Sequence, residues 1–219
     1  MERKNAWEKY GKKDLKNVFE FCEEYRQFIS DNKTERECTD SFVKLAEQAG
    51  YRDLAKIIKN KETLKPGAKV YANNMGKSLV MFCIGTEPIS DGMRILGAHI
   101  DSPRLDIKQN PLYEDEELAL LDTHYYGGIK KYQWTAVPMA LHGVVALTNG
   151  KKINVVIGED PSDPVVEVSD LLIHLSGEQL EKKGAKVVEG EDLNLLVGSM
   201  PWAREKRTRT QGKRPKGIF

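Results

Sequence analysis

The sequence predicts an α/β fold followed by a second, mostly β module. Amphipathic helical patterns occupy the stretch before residue 60. An apolar run, Met93-Arg94-Ile95-Leu96, then leads into His99 and Asp101. After Pro103 the chain breaks into short β-prone segments separated by polar or glycine-rich turns.

Leu15, Val18, Phe19, Cys22, Tyr25 and Ile29 fall at helical spacing and predict an amphipathic helix ending near Asn32. Thr34 and Glu37 form a Thr-x-x-Glu capping box, which satisfies the free amides at a helix start. The helix that follows is expected to bury Phe42, Leu45, Ala46 and Ala49 and to stop at Gly50. Residues 53–60 read as one more short helix. Lys69–Ala72 and Leu79–Ile84 are strand-like runs on either side of the turn signal Asn73-Asn74-Met75-Gly76. Residues 87–92 form a loop, and the run at Met93–Leu96 reads as a buried strand. Beyond it, residues 105–108, 118–121, 137–145 and 153–157 are β-prone, and residues 170–175 read as a short helix or turn.

The chain of 219 residues is long enough to bury a sizeable core as one large domain or two small ones. With 40% hydrophobic and 31% charged residues and a net charge of +1, it reads as soluble and globular, with no strong overall pull toward nucleic acid or membrane. No apolar run approaches the roughly 20 residues that a membrane-spanning helix needs. The N-terminus, Met1-Glu2-Arg3-Lys4-Asn5, leads into a charged helix rather than a signal peptide. Cys22, Cys38 and Cys83 are scattered, odd in number and without CxxC spacing, so neither a disulfide framework nor a sulfur-ligated zinc site is expected. A reducing cytoplasm is the compartment this implies.

His99 and Asp101 carry the clearest chemistry. In a strand, residues two apart face the same way, so both project from one face where the strand runs out into a loop. A metal-binding imidazole needs its second ring nitrogen fixed, and a nearby carboxylate commonly does this. Taken alone, the tripeptide reads more readily as a core histidine beside a turn-forming Asp-Ser-Pro. His142, in an apolar strand, reads as structural. His124, before Tyr125, Tyr126 and Gly127-Gly128, shapes a loop. The acidic run Glu114–Glu117 reads as a solvated loop, because consecutive carboxylates point apart and repel. Residues 203–219 hold seven basic residues against the single Glu205 and no apolar period, the pattern of a disordered solvated tail. No aromatics interleave with those charges to stack on bases, so nucleic acid is not an expected partner.

Six segments in order then resemble one family. They are Gly97-Ala-His-Ile-Asp-Ser-Pro-Arg-Leu-Asp-Ile-Lys108, His124-Tyr-Tyr-Gly-Gly-Ile-Lys-Lys-Tyr-Gln-Trp134, Pro138-Met-Ala-Leu-His-Gly143, Ile157-Gly-Glu-Asp-Pro161, Asp170-Leu-Leu-Ile-His-Leu175 and Leu193-Asn-Leu-Leu-Val-Gly-Ser-Met-Pro201. Together they resemble the bacterial branch of the aspartyl aminopeptidase / aminopeptidase I family of zinc metallopeptidases. The resemblance implies an α/β zinc-exopeptidase domain interrupted by a β-rich oligomerisation domain. It also implies two zinc ions, peptide substrates that lose single N-terminal residues, and a homo-oligomer assembled through the insertion. Residues 1–103 would be the first part of the metallopeptidase domain and 104–197 the inserted domain. Residues 198–219 would be the start of the return to the catalytic domain, replaced by the basic tail.

Carried over residue by residue, His99 matches the family's first histidine ligand, and Asp101 matches the acid that supports it. His174 matches the histidine of the Ile-His-Leu segment, which reaches a neighbouring subunit's substrate or metal pocket. The resemblance leaves open whether His174 is a ligand or a substrate contact. Family members are considerably longer, and the remaining ligands and the catalytic glutamate come from the part not matched here. The expectation is therefore a truncated or frame-shifted N-terminal portion, weak in zinc binding and peptidase activity. The alternative is a non-catalytic assembly module that joins oligomers of full-length subunits.

Overall fold

The computed structural model describes residues 3–200, which divide into two compact units, one ending at Ser102 and one beginning at Pro103. The basic tail, residues 203–219, and its nucleic-acid reading lie outside the described residues.

In the first unit, α1 (Lys12–Asp31) follows the predicted pattern and ends beside Asn32, whose side-chain amide donates to the Phe28 carbonyl at 2.6 Å. None of its residues is buried. α2 (Glu35–Gln48) starts at the predicted capping box. The Glu37 N–H donates to Thr34 Oγ1 at 3.3 Å, and the Thr34 N–H donates to Glu37 Oε2 at 2.9 Å. Its buried residues are Cys38, Thr39 and Ala46, while Phe42 is half-buried and stacks on Phe28 with ring centroids 5.0 Å apart. Leu45 and Ala49, expected in the core, are exposed. The packed face runs through positions 38, 42 and 46; Leu45 falls at its edge, and Ala49 is the C-cap beyond the last helical residue.

β1 (Arg52–Asp53) leads into α3 (Leu54–Lys59), the predicted short helix, with the Asp53 carboxylate accepting from the Ala55 N–H at 2.8 Å. β2 (Lys69–Asn74) and β3 (Ser78–Cys83) form the predicted hairpin, with Met75 and Gly76 at φ 57° and 69° in its turn. The sheet order is β1-β2-β3, with β1 parallel and β3 antiparallel to β2. Val70 and Tyr71 of β2, Ile57 of α3, and Ala46 and Cys38 of α2 are the buried apolar residues of this unit, and the Tyr71 hydroxyl donates to Glu47 Oε1 at 2.8 Å.

The run at Met93–Leu96 is not the buried strand that its composition predicts. It has no strand assignment, and Met93, Ile95 and Leu96 are 58%, 79% and 101% exposed. A strand needs a neighbour for its N–H and C=O groups, and among the described residues none of the three strands of this sheet pairs with it.

The second unit opens with a long hairpin of β4 (Arg104–Asp115) and β5 (Leu118–Tyr126). The sequence shows only the first part of each strand, residues 105–108 and 118–121. The acidic run is a loop only in its second half: Glu114 and Asp115 end β4, opposite Ala119 and Leu118, and Glu116-Glu117 is the tip of the hairpin. Glu116 and Glu117 both take positive φ, 44° and 66°, the sense of turn that matches the twist of paired strands. β6 (Leu141–Ala146) pairs with β7 (Lys152–Ile157) in a separate antiparallel hairpin. β6 starts later than expected because Pro138 has no N–H for a ladder. Only single bridges, Thr135 with Val168 and Met139 with Val166, precede it. After the short α4 (Gly177–Leu180), β8 (Leu195–Gly198) returns to pair with β5, giving the order β4-β5-β8.

Ala119, Val168, Val188, Leu193, Leu195 and Val197 make the buried apolar cluster of this unit. Thr123, also buried, donates its hydroxyl to the Leu193 carbonyl and its N–H to Asn194 Oδ1 at 3.3 Å. β5 is thereby tied to the approach to β8. Among the described residues, no helix is long and apolar enough to cross a membrane.

Candidate functional site

His99 lies in the stretch that leaves the first unit, and its side chain is 84% exposed. Its Nδ1 stands 3.0 Å from the Asp101 backbone oxygen and 3.2 Å from Asp101 Oδ1. Both neighbours accept, so in the neutral ring the proton belongs on Nδ1, and Nε2 keeps its lone pair directed away from Asp101. The two-residue spacing brings the side chains together even though the segment is not a strand. A loop does this here because the Asp101 carbonyl and carboxylate both turn back on one imidazole nitrogen.

That arrangement suits one ligand of a metal ion. The ring is oriented by the Asp101 carbonyl and carboxylate, and its second nitrogen points away from them. A complete site is another matter. Zinc sites commonly use three or four protein ligands. Among the described residues no group of three or more His, Cys, Asp or Glu side chains converges.

His174 belongs to the second unit and sits on a 3-10 turn, Ile173–Leu175. The predicted short helix or turn at 170–175 is this turn, followed by α4. His174 lines a cleft of about 630 Å³ together with Thr135, Asp170, Gln179 and Lys182. Asp170 organises one wall. Its carboxylate accepts from the Leu171 N–H at 2.8 Å, Gln179 Nε2 at 3.0 Å and Thr135 Oγ1 at 3.1 Å. The Gln179 hydrogen bond leads in holding its carboxyl below the usual carboxylate range, against the opposing effect of burial. Ser176, itself buried, closes the turn by donating to the Ile173 carbonyl at 3.0 Å.

Sequence reasoning missed Asp170, Gln179 and Thr135 as a group. Asp170 opens the Ile-His-Leu segment and offered a signal. Thr135 is 35 residues away and Gln179 has no periodic relation to either. The other histidines have partners of their own. His142 Nε2 lies 2.8 Å from Glu159 Oε1, and its side chain is 10% exposed. His124 is on β5, with its ring stacked on Tyr125 at 5.6 Å. Beside the start of β4, Arg104 lies over the Tyr126 ring at 4.1 Å and donates to Asp106 at 2.7 Å.

Residues 28–217 match the family described as aminopeptidase I zinc metalloprotease (M18). Over 200 residues the chain is 61% identical to the probable M18 family aminopeptidase 1 of Clostridium acetobutylicum, covering 91% of this chain and 43% of that relative. The crystal structure of aminopeptidase I from Clostridium acetobutylicum matches with a TM-score of 0.81 at 57% identity, over 94% of this chain and 45% of that one. The M18 aminopeptidase crystal structure from Thermotoga maritima matches with a TM-score of 0.83 at 39% identity, over 94% and 44%. This chain therefore spans less than half the length of these relatives. On the family match and these identities, the chain belongs to the M18 aminopeptidase I family.

Proposed function

We propose that this chain serves the zinc-dependent removal of N-terminal residues from peptides, as the portion that supplies His99 as a zinc ligand and Asp101 as its support. The contact of His99 Nδ1 with both Asp101 oxygens carries the reading, because it leaves Nε2 for a metal. In such enzymes zinc polarises the scissile carbonyl and activates water when bound. The chain's own contribution is positional: Asp101 accepts the hydrogen bond from Nδ1–H and keeps the ring from turning. His174, set on a turn braced by Ser176, serves the substrate or metal pocket. With the described residues bringing no third ligand to His99, the chain by itself binds zinc weakly and hydrolyses little.

Calorimetric zinc titration of the full chain and of His99→Ala, with an aminoacyl-anilide assay run with and without chelator, tests this. Weak binding that falls further in the variant is expected, with no chelator-sensitive hydrolysis. Tight binding indifferent to His99→Ala sinks the ligand role, and chelator-sensitive hydrolysis by the chain alone sinks the incomplete site.

The second reading is an assembly module. Leu171, Leu172, Ile173 and Leu175, around His174, are 54%, 71%, 68% and 69% exposed, an apolar patch suited to a subunit contact. In this reading residues 104–197 are the inserted β-rich domain, residues 1–103 precede it, and the insertion joins homo-oligomers. The break between units at Ser102 and Pro103 supports those bounds. Three free cysteines fit a reducing cytoplasm. Co-expression with a full-length relative separates the readings: incorporation with loss of activity favours the module, and an active mixed site that depends on His99 favours the enzyme.

A further inference from the structure

The turn that carries His174 has little apolar anchorage. Leu171, Leu172, Ile173 and Leu175 are all more than half exposed, so burial of its own side chains does not fix it. Within the turn, the Leu175 N–H donates to the Leu172 carbonyl at 2.8 Å, and the buried Ser176 donates its hydroxyl to the Ile173 carbonyl at 3.0 Å. Those bonds set its local shape but not its place in the unit. Its two ends are held by one carboxylate oxygen. Asp170 Oδ1 accepts from the Leu171 N–H at 2.8 Å on the near side and from Gln179 Nε2 at 3.0 Å on the far side. The residues between, His174 among them, form a loop closed on that oxygen.

Asp170 Oδ2 faces a second turn. Thr135 Oγ1 lies 3.1 Å from it and 3.2 Å from the Tyr132 carbonyl. Tyr132 belongs to the 3-10 turn Lys131–Gln133, closed by the Gln133 and Trp134 N–H groups donating to the Lys130 and Lys131 carbonyls at 2.9 and 3.0 Å. This second turn is anchored. Trp134 packs against the buried apolar cluster of the unit. The Thr135–Val168 bridge, and the Ala136 N–H bonded to the Val168 carbonyl at 2.8 Å, tie it to the chain just before Asp170. The carboxylate therefore stands between an anchored turn and a poorly anchored one, with one oxygen on each.

We propose that Asp170 is the positioning residue of His174: its two carboxylate oxygens fasten the Ile173–Leu175 turn to the core-anchored Lys131–Gln133 turn. Residues 124–134, which supply no candidate ligand, thereby contribute the anchored end of the His174 site. A turn held in place beforehand spares the ordering cost that a loose turn adds to binding. The proposal rests on the reading of His174 as serving the substrate or metal pocket, but its readout is the backbone of this chain alone. The geometry also fixes what each substitution does. The Thr135 hydroxyl has one proton and two acceptors in reach. In Asp170→Asn the retained Oδ1 still serves Leu171 and Gln179, and the new amide N–H donates to Thr135 Oγ1, which leaves the hydroxyl proton for Tyr132. Asp170→Ala loses all of these bonds.

Nitrogen-15 NMR of the full chain tests this. In Asp170→Ala the Leu175 amide, whose own acceptor is the Leu172 carbonyl, is expected to exchange at least about tenfold faster, because the hydrogen bonds to a charged acceptor at both ends of the turn are lost. The His174 backbone order parameter is expected to fall from about 0.85 to below about 0.6. Thr135→Val, which removes only the contact from the other turn, should move both readouts in the same direction, and Asp170→Asn should leave both near the parent. The Leu147 amide, bonded to the Lys151 carbonyl at 2.8 Å beside the β6–β7 hairpin, is the control and should not change. A Leu175 amide and a His174 order parameter unchanged in Asp170→Ala overturn the proposal. So does exchange at Leu147 that speeds by the same factor, which makes Asp170 a general stabiliser of the unit. An Asp170→Asn variant as loose as Asp170→Ala, or a Thr135→Val variant that loosens only Gln133 and Trp134, overturns it as well. In co-expression with a full-length relative, activity indifferent to His174→Ala sinks the pocket reading of His174, whereas the amide results decide the role of Asp170 by themselves.

Discussion

Tyr71→Phe should destabilise the first unit at neutral pH and lose that effect in alkali. Tyr71 is 5% exposed on β2, and its hydroxyl donates to Glu47 of α2 at 2.8 Å. Burial, with the hydrogen bond to Glu47 as the next cause, pushes its hydroxyl up to about 12. Removing the hydroxyl leaves ring packing intact and costs one hydrogen bond to a carboxylate. Because Glu47 is itself solvated, the lower part of the range applies, about 1–1.5 kcal/mol at pH 8.

The pH dependence follows from the direction of the shift. In the unfolded chain Tyr71 ionises near 10, whereas in the fold it stays protonated to about 12. Its contribution is therefore fully present below pH 10 and is lost as pH rises toward 12. At about 1.36 kcal/mol per pH unit, the parent loses about 1.4 kcal/mol from this group by pH 11, and the Phe variant loses none. The two proteins should differ in urea midpoint at pH 8 and converge at pH 11. Other tyrosines and lysines titrate in the same window, but they are common to both proteins and cancel in the difference. Equal midpoints at pH 8, or a gap that persists unchanged at pH 11, would refute the coupling of α2 to β2 through this hydroxyl.

Two further outcomes are expected. Thr123→Val leaves the Leu193 carbonyl without its hydroxyl donor and should lower the stability of the second unit by about 1–3 kcal/mol, read from a urea transition with unchanged slope; a change within error would show that the contact is dispensable. Asp101→Asn in the full chain should weaken zinc binding about 10–100-fold in a calorimetric titration, and an unchanged affinity would mean that Asp101 does not support the ligand.

Much of the first unit is legible in the chain because its signals are local. Thr34 and Glu37 mark the start of α2 at the residue where it begins, and the Met75-Gly76 turn is visible from its composition. The juxtaposition of His99 with Asp101 is equally local, since two residues separate them. What local pattern does not report is cover. Met93–Leu96 has the composition of a buried strand, yet burial requires neighbours that are not encoded within the segment. Leu45 misses the core for a related reason, because the packed face of α2 is selected by the sheet beneath it. Glu116-Glu117 lacks the glycine or asparagine that usually announces a positive-φ turn, so the β4–β5 hairpin reads from sequence as two shorter strands.

By itself the sequence determined helices α1 to α3, the capping box that starts α2, the β2–β3 hairpin, and, through six ordered segments, membership of the M18 aminopeptidase family. Helical period, capping and turn chemistry act over a few residues and are written where they operate. Only the tertiary structure decided that β8 pairs with β5, that Thr135, Asp170 and Gln179 share one wall of the His174 cleft, and that the apolar faces of α1, β3 and residues 93–100 remain uncovered. Those outcomes depend on residues far apart in the chain. Burying an apolar face, or pairing a strand edge, needs a partner surface whose presence no local run of residues records.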